Sequence, residues 1–216
     1  KPVVFPSQDM VLGINYLTRE MKNAKGTGRF YDTIAELIVA IEAGALSYNA
    51  LIRYRLPDGS IINTTPGRVL FNAEMPPEIG FQNICFGDKE LKKLVGSVIH
   101  KQKSSIAVKM LDSIKDVGFK YATVFGATIG LSDMIVPDAK RTLVETADRR
   151  QSEIREQYRQ GHITQDERYN RVIEVWSKTT EDISNALMEE LKISQNGFNP
   201  LYLMADSGAR GSKTQI

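Results

Sequence analysis

The chain has one cysteine, Cys85, so no disulfide can form within it, and this usage fits a reducing compartment such as the cytoplasm. Between Ile84 and Phe86, the expected role of Cys85 is that of a small buried hydrophobe. Histidine is nearly as scarce. His100 and His162 are the only two, and neither has a cysteine or a second histidine at ligand spacing, which leaves little from which to build a metal centre or a nucleophile–base pair. No apolar run approaches the roughly 18 residues needed to cross a bilayer, and none reads as a secretory leader. Neither sign of charge dominates: 28 Lys and Arg stand against 26 Asp and Glu. Such a balance argues against a free-standing electrostatic nucleic-acid binder.

What is present is enough chain, 216 residues, for one large or two small domains. Residues 1–6, bracketed by Pro2 and Pro6, are expected to be extended. Ser7 is placed to cap a helix that has Asp9 at its positive end and Met10, Ile14, Leu17 and Met21 at helical spacing. Residues 23–28 form a polar loop. Its Gly26-Thr27-Gly28 is no phosphate cradle, because it follows a helix rather than a strand and lacks the lysine. A second amphipathic helix is predicted over 32–43, stopped by Gly44. Two short apolar-rich runs, 51–56 and 60–65, around Pro57-Asp58-Gly59 predict a β-hairpin. Pro66-Gly67 then predicts a turn and Val69-Leu70-Phe71 a short strand or the start of a buried segment, with Arg68 as a structural hydrogen-bond donor. Helices follow over 89–100 and 105–118, with His100 solvated. From Gly126 to Met134 small and apolar residues alternate, which suggests backbones packed closely together.

The carboxyl-terminal third has a different pattern. Pro137 suits a helix start. Leu143, Ala147, Ile154 and Tyr158 follow near a heptad, and Gly161 breaks the run. Thr164 and Glu167 make a capping box for a second helix with Tyr169, Val172, Ile173, Trp176, Ile183, Leu187 and Leu191 in steps of three and four. The fold class expected is α+β and mainly helical: a small helical base containing a β-hairpin, plus a projecting antiparallel two-helix coiled coil over about 139–193. A long hairpin with charges on its surface is normally just solvated there.

After this hairpin comes Met204-Ala205-Asp206-Ser207-Gly208-Ala209-Arg210-Gly211-Ser212. Gly208 and Gly211 allow tight turning, and Arg210 between them has little steric cover, so its guanidinium is free to take a phosphate or a carboxylate bidentately. This string resembles one found in the largest catalytic subunits of cellular RNA polymerases, in the bacterial beta-prime form. Four other blocks resemble the same family in the same order. They are Pro6-Ser7-Gln8-Asp9-Met10-Val11-Leu12-Gly13, the Thr65-Pro66-Gly67-Arg68 turn, the run from Gly118-Phe119 through Tyr121-Ala122 to Asp133-Met134, and the hairpin tip from Gly161 to Trp176. No resemblance is visible over 23–62.

The resemblance implies a pore region over 1–136 and a funnel region over 137–216, lining the secondary channel through which nucleotides enter. It implies that Arg210 contacts the triphosphate of the incoming nucleotide. It also implies that the tip residues Tyr158, Gly161, His162, Thr164, Glu167, Arg168, Asn170 and Arg171 receive transcript-cleavage and other secondary-channel factors. The family's three-aspartate loop does not occur here, so no catalytic residue, metal ligand or cofactor is expected in this chain. Mg belongs to the complete enzyme, as do contacts with DNA, RNA, nucleoside triphosphates and the other polymerase subunits. The isolated chain is expected to be inactive, its ends to be cut from a longer polypeptide, and its location to be cytoplasmic, with no membrane partner. The alternative is a stand-alone coiled-coil interaction module without chemistry.

Overall fold

A computed structural model describes residues 4–211; positions 1–3, where the chain is expected to be extended, Ser212 and the last four residues lie outside the described residues. Eight α-helices and three short strands make up the described chain, which is the mainly helical α+β architecture expected. Helix α1 (Asp9–Thr18) is preceded by Gln8 at φ 49°, with no side-chain cap. Ser7 does not cap it; its carbonyl accepts from the Met10 N–H instead. Met21 falls beyond the helix end.

Helix α2 (Ile34–Glu42) is capped by Thr33, whose hydroxyl accepts from the Glu36 N–H, and Gly44 follows its end at φ +63°. Strands β2 (Ile52–Arg55) and β3 (Ile61–Thr64) pair antiparallel around the predicted turn. A two-residue strand β1 (Phe30–Tyr31) adds to β2 in parallel. The strand suggested at Val69-Leu70-Phe71 is instead the middle of α3 (Pro66–Glu74). Thr65 caps α3 and Pro66 opens it, a start in which proline's missing N–H costs nothing. Arg68 has the structural role expected: Nε donates to the Thr18 carbonyl at 2.9 Å and Nη1 to Asn83 Oδ1 at 3.1 Å.

Helices α4 (Asp88–Lys101) and α5 (Ser104–Phe125) complete the base. Its main core gathers Ile14 and Leu17 of α1, Phe71 of α3, Leu91 and Val95 of α4, and Met110 and Ile114 of α5. Helices α1 and α5 cross at two glycines. A Cβ on Gly13 would lie 2.0 Å from the Gly118 carbonyl oxygen, and one on Gly118 2.7 Å from Met10 Cα. His100 is exposed, as expected. Cys85 is only partly buried, because Arg19 and Asn15 adjoin it rather than a purely apolar shell.

Helices α6 (Ala139–Arg159) and α7 (Gln165–Ile193) form an antiparallel hairpin. Arg171 reaches Gln157 near the tip, and the Asp138 N–H donates to Glu190 at the root. The seam buries Ala147, Ile154 and Thr179, but Tyr169 and Ile173, expected in it, are 64% and 46% exposed. The inward side of α7 keeps the expected Val172 and Trp176, both half-buried, and adds Arg168, Val175 and Thr179 in place of Tyr169 and Ile173. The root is fixed by Met188 and Leu191, packed on Tyr202 of α8 (Pro200–Asp206). Among the described residues no helix is long and apolar enough to cross a membrane.

Candidate functional site: a clamped arginine turn and a polar hairpin tip

The turn that carries Arg210 is built from its cap outward. Asn199, fully buried, accepts from the Leu201 and Tyr202 N–H groups at 3.0 and 3.4 Å and so starts α8, with Pro200 in the first position. Its amide donates in turn to the Asp133 carbonyl at 3.0 Å. The Asp133 carboxylate accepts from the Gly130 N–H at 2.7 Å and from Gln195 at 2.6 Å. The run from Gly126 to Met134 does not pack backbone against backbone as expected: Ile129, Leu131 and Met134 are exposed, and what the run supplies is a polar anchor for α8 through Asp133.

At the other end of α8 the chain reverses. Gly208 has φ +72°, the left-handed region that favours glycine, and a Cβ there would sit tightly against the Asp88 side chain at 3.0 Å. The Ser207 hydroxyl donates to the Met204 carbonyl and accepts from the Ala209 N–H, both at 3.2 Å. The Ser207 carbonyl accepts from the Asp88 N–H at 2.8 Å, tying the turn to the first residue of α4. Ala209 is buried in the base core and the Arg210 N–H donates to the Met204 carbonyl at 3.2 Å. With its neighbours held this way, Arg210 is exposed and forms no ion pair among the described residues. Gly211 follows at φ +81° in open space.

One further contact joins this turn to the base. Arg19, next after α1, forms an ion pair with Asp206 through Nη2 and Oδ2, and its guanidinium lies 5.5 Å from the centre of the Tyr202 ring. Its Nε donates to Asn15 Oδ1 at 3.3 Å, and buried Asn15 donates to the Phe86 carbonyl at 2.7 Å. Burial pushes the Tyr202 phenol above its ordinary value, and the Asp206 charge adds to the rise. Burial also raises the Cys85 thiol, against the lowering pull of Arg19. Sequence reasoning missed Arg19. It pairs with a residue 187 positions away, and no local pattern signals such a contact.

The tip residues come together around the hairpin loop, with Tyr158 at the end of α6, Gly161, His162 and Thr164 between the helices, and Glu167, Arg168, Asn170 and Arg171 at the start of α7. Thr164 and Glu167 form the capping box: the Thr164 hydroxyl accepts from the Glu167 N–H at 3.2 Å, and the Glu167 carboxylate accepts from the Thr164 N–H at 2.8 Å. The Arg168 guanidinium lies 4.4 Å from the centre of the half-buried Tyr158 ring. Gly161 takes φ +75°, and the His162 N–H donates to the Gln157 carbonyl at 2.9 Å. Arg171 donates to Gln157 at 3.2 Å. His162, Asn170 and Arg171 are exposed around this frame. Among the described residues no group of three or more His, Cys, Asp or Glu side chains is arranged to hold a metal.

Fold and site thus define a helical segment that presents one arginine on a fixed turn and one polar tip on a long hairpin. Residues 1–134 match the family described as RNA polymerase Rpb1, domain 3, and residues 163–216 match RNA polymerase Rpb1, domain 4. The chain is 50% identical over 215 residues to the DNA-directed RNA polymerase subunit beta' of Borrelia turicatae. It is 47% identical over 219 residues to that of Treponema pallidum. In both, the whole chain is covered and 16% of the relative. The chain belongs to the family of RNA polymerase largest subunits, in the bacterial beta-prime form.

Proposed function

We propose that this chain acts within a cytoplasmic DNA-directed RNA polymerase, a nucleotidyltransferase. In this reading residues 1–136 form its pore region and 137–216 its funnel region, and together they line the secondary channel for nucleotides. Arg210 contacts the triphosphate of the incoming nucleotide. A guanidinium suits this task because its donors form a rigid fork matched to phosphate oxygens and its charge does not titrate. The observation that carries the reading is the contrast within one turn: Ser207 and Ala209 are buried, while Arg210 between the two glycines is exposed and unpaired among the described residues. In this reading the Mg that activates the attacking oxygen and neutralises the triphosphate belongs to other parts of the complete enzyme. DNA, RNA and the other subunits are likewise met only there, and the chain alone is inactive.

The test is steady-state nucleotide addition by polymerase assembled with Arg210→Ala. Losing a charge-assisted fork on phosphate is expected to raise the nucleotide KM about tenfold or more. Unchanged kinetics would remove Arg210 from the site. The hairpin tip, in the same reading, docks secondary-channel factors through exposed His162, Asn170 and Arg171, framed by Tyr158, Gly161, Thr164, Glu167 and Arg168. Arg171→Glu should then weaken factor-stimulated transcript cleavage and leave factor-free synthesis intact. Equal cleavage by variant and parent would dismiss the tip.

A further inference from the structure

Arg210 shares its turn with an acid. Asp206 lies four positions before it, at the carboxyl-terminal end of α8, and the structure gives that carboxylate one cationic partner, Arg19. Two physical consequences follow from this placement. A negative charge at the carboxyl-terminal end of a helix is unfavourable, because the unpaired carbonyls there carry the negative pole of the macrodipole. Helix α8 has only seven residues, too few to be stable without its tertiary contacts. That last turn carries the Met204 carbonyl, which accepts from both the Arg210 N–H and the Ser207 hydroxyl. The Arg210 guanidinium lies on the same short segment, beyond the reversal at Gly208, and its fork of donors matches a free carboxylate.

We infer that Arg19 is a positioning residue for Arg210: it neutralises Asp206, which keeps that carboxylate off the end of α8 and off the Arg210 guanidinium, so that Arg210 stays available to a polyanionic ligand. Arg19 is built for this role. Its side chain is only 16% exposed, its Nε is held by Asn15 of the base, and its guanidinium rests over the Tyr202 ring of α8. Asn15 is itself fixed by its bond to the Phe86 carbonyl, and the Phe86 N–H donates to the Thr18 hydroxyl at 3.0 Å. The rigid core of the base is thereby connected to the charge state of the turn. The inference rests on the proposal that Arg210 contacts the nucleotide triphosphate.

The experiment uses complete polymerase assembled with Arg19→Ala, Arg210→Ala, both together, and Arg19→Ala with Asp206→Asn, and it measures nucleotide KM and kcat for single additions. Arg19→Ala is expected to raise KM about fivefold with kcat little changed, well inside the roughly 100-fold that an ångström-scale misplacement can cost. In the Arg210→Ala background it should add nothing further. Adding Asp206→Asn to Arg19→Ala should bring KM back toward the parent value, because the harm lies in the unpaired carboxylate. A merely structural contact would predict the reverse, with the double variant as impaired as the single one, and that outcome overturns the inference. If Arg210→Ala raises KM and Arg19→Ala does not, the inference fails and the Arg210 reading stands. If Arg210→Ala has no effect, that reading fails and the inference with it. Should Arg19→Ala not assemble, Arg19→Gln, with and without Asp206→Asn, gives the same comparison.

Discussion

In the base, two backbones meet without side chains between them, at Gly13 of α1 and Gly118 of α5; in the hairpin, α6 and α7 are held apart by a seam of Ala147, Ile154, Val175 and Thr179. Each region also uses glycine, for different reasons. Gly13 is needed for space and Gly161 for its φ of +75°, with nothing within 4 Å of the Cβ it lacks. This difference gives the largest expected effect. Gly13→Ala puts a methyl 2.0 Å from a carbonyl oxygen and 2.6 Å from the Ala122 nitrogen, both backbone atoms that cannot yield separately. The expected cost is about 3 kcal/mol or more, at the upper end of overpacking. Gly161→Ala, with no clash, should cost only the left-handed backbone term of ~1–2 kcal/mol. Urea unfolding of the two variants compares them, and equal losses would break the distinction between space and conformation.

A second difference is chemical. The base buries tyrosines against one another: Tyr48 and Tyr121 meet edge to face with ring centres 5.5 Å apart. Burial pushes the Tyr121 phenol from 10.0 up to about 12, and the nearby Tyr48 and Glu74 add to the rise. The sign follows from the neutral form being the one favoured in the fold. The contribution is complete below the unfolded value near 10 and is lost as pH rises through about 12. Alkaline titration followed by circular dichroism should show the base losing stability across that window, and Tyr121→Phe should flatten the loss. If the phenylalanine variant titrates like the parent, Tyr121 is not the responsible group.

The same contrast explains what could be foreseen from the residues. The β-hairpin was legible because Pro57-Asp58-Gly59 has turn chemistry that few other structures use. The capping box at Thr164 and Glu167 was legible for the same reason: it is local. Helix α3 was not. Three consecutive apolar residues, Val69-Leu70-Phe71, suit a buried strand or a helix equally, and the deciding signal was the cap and proline before them, Thr65-Pro66. Strand β1, two residues long, carries no pattern at all. At the site, the bend around Arg210 followed from two glycines, whereas its fixation by Asp88, Arg19 and buried Ala209 depends on contacts across the whole chain. Local chemistry can be read in a window of residues; long-range pairing cannot.

The seam of the hairpin is the instructive error, and it supports the smallest prediction. Along α7 two adjacent stripes satisfy steps of three and four: Tyr169, Ile173, Trp176 and Thr180, and, one position earlier, Arg168, Val172, Val175 and Thr179. Hydrophobicity alone selects the apolar members of both, Tyr169, Val172, Ile173 and Trp176. The fold turns the second inward and leaves only Trp176 of the first half-buried; the Arg168 guanidinium lies over the Tyr158 ring, and no buried side-chain polar atom is left unsatisfied in the seam. Tyr169 and Ile173 are then left at 64% and 46% exposure, where little apolar area is withdrawn from water. Replacing both by serine should shift thermal unfolding of the chain by no more than ~0.5 kcal/mol, as for surface positions generally. Ile154→Ala, only 9% exposed in the opposite helix, should cost about 2 kcal/mol or more. Equal losses from the two replacements would return Tyr169 and Ile173 to the interior and make hydrophobicity, rather than polar satisfaction, the rule that sets the register of this hairpin.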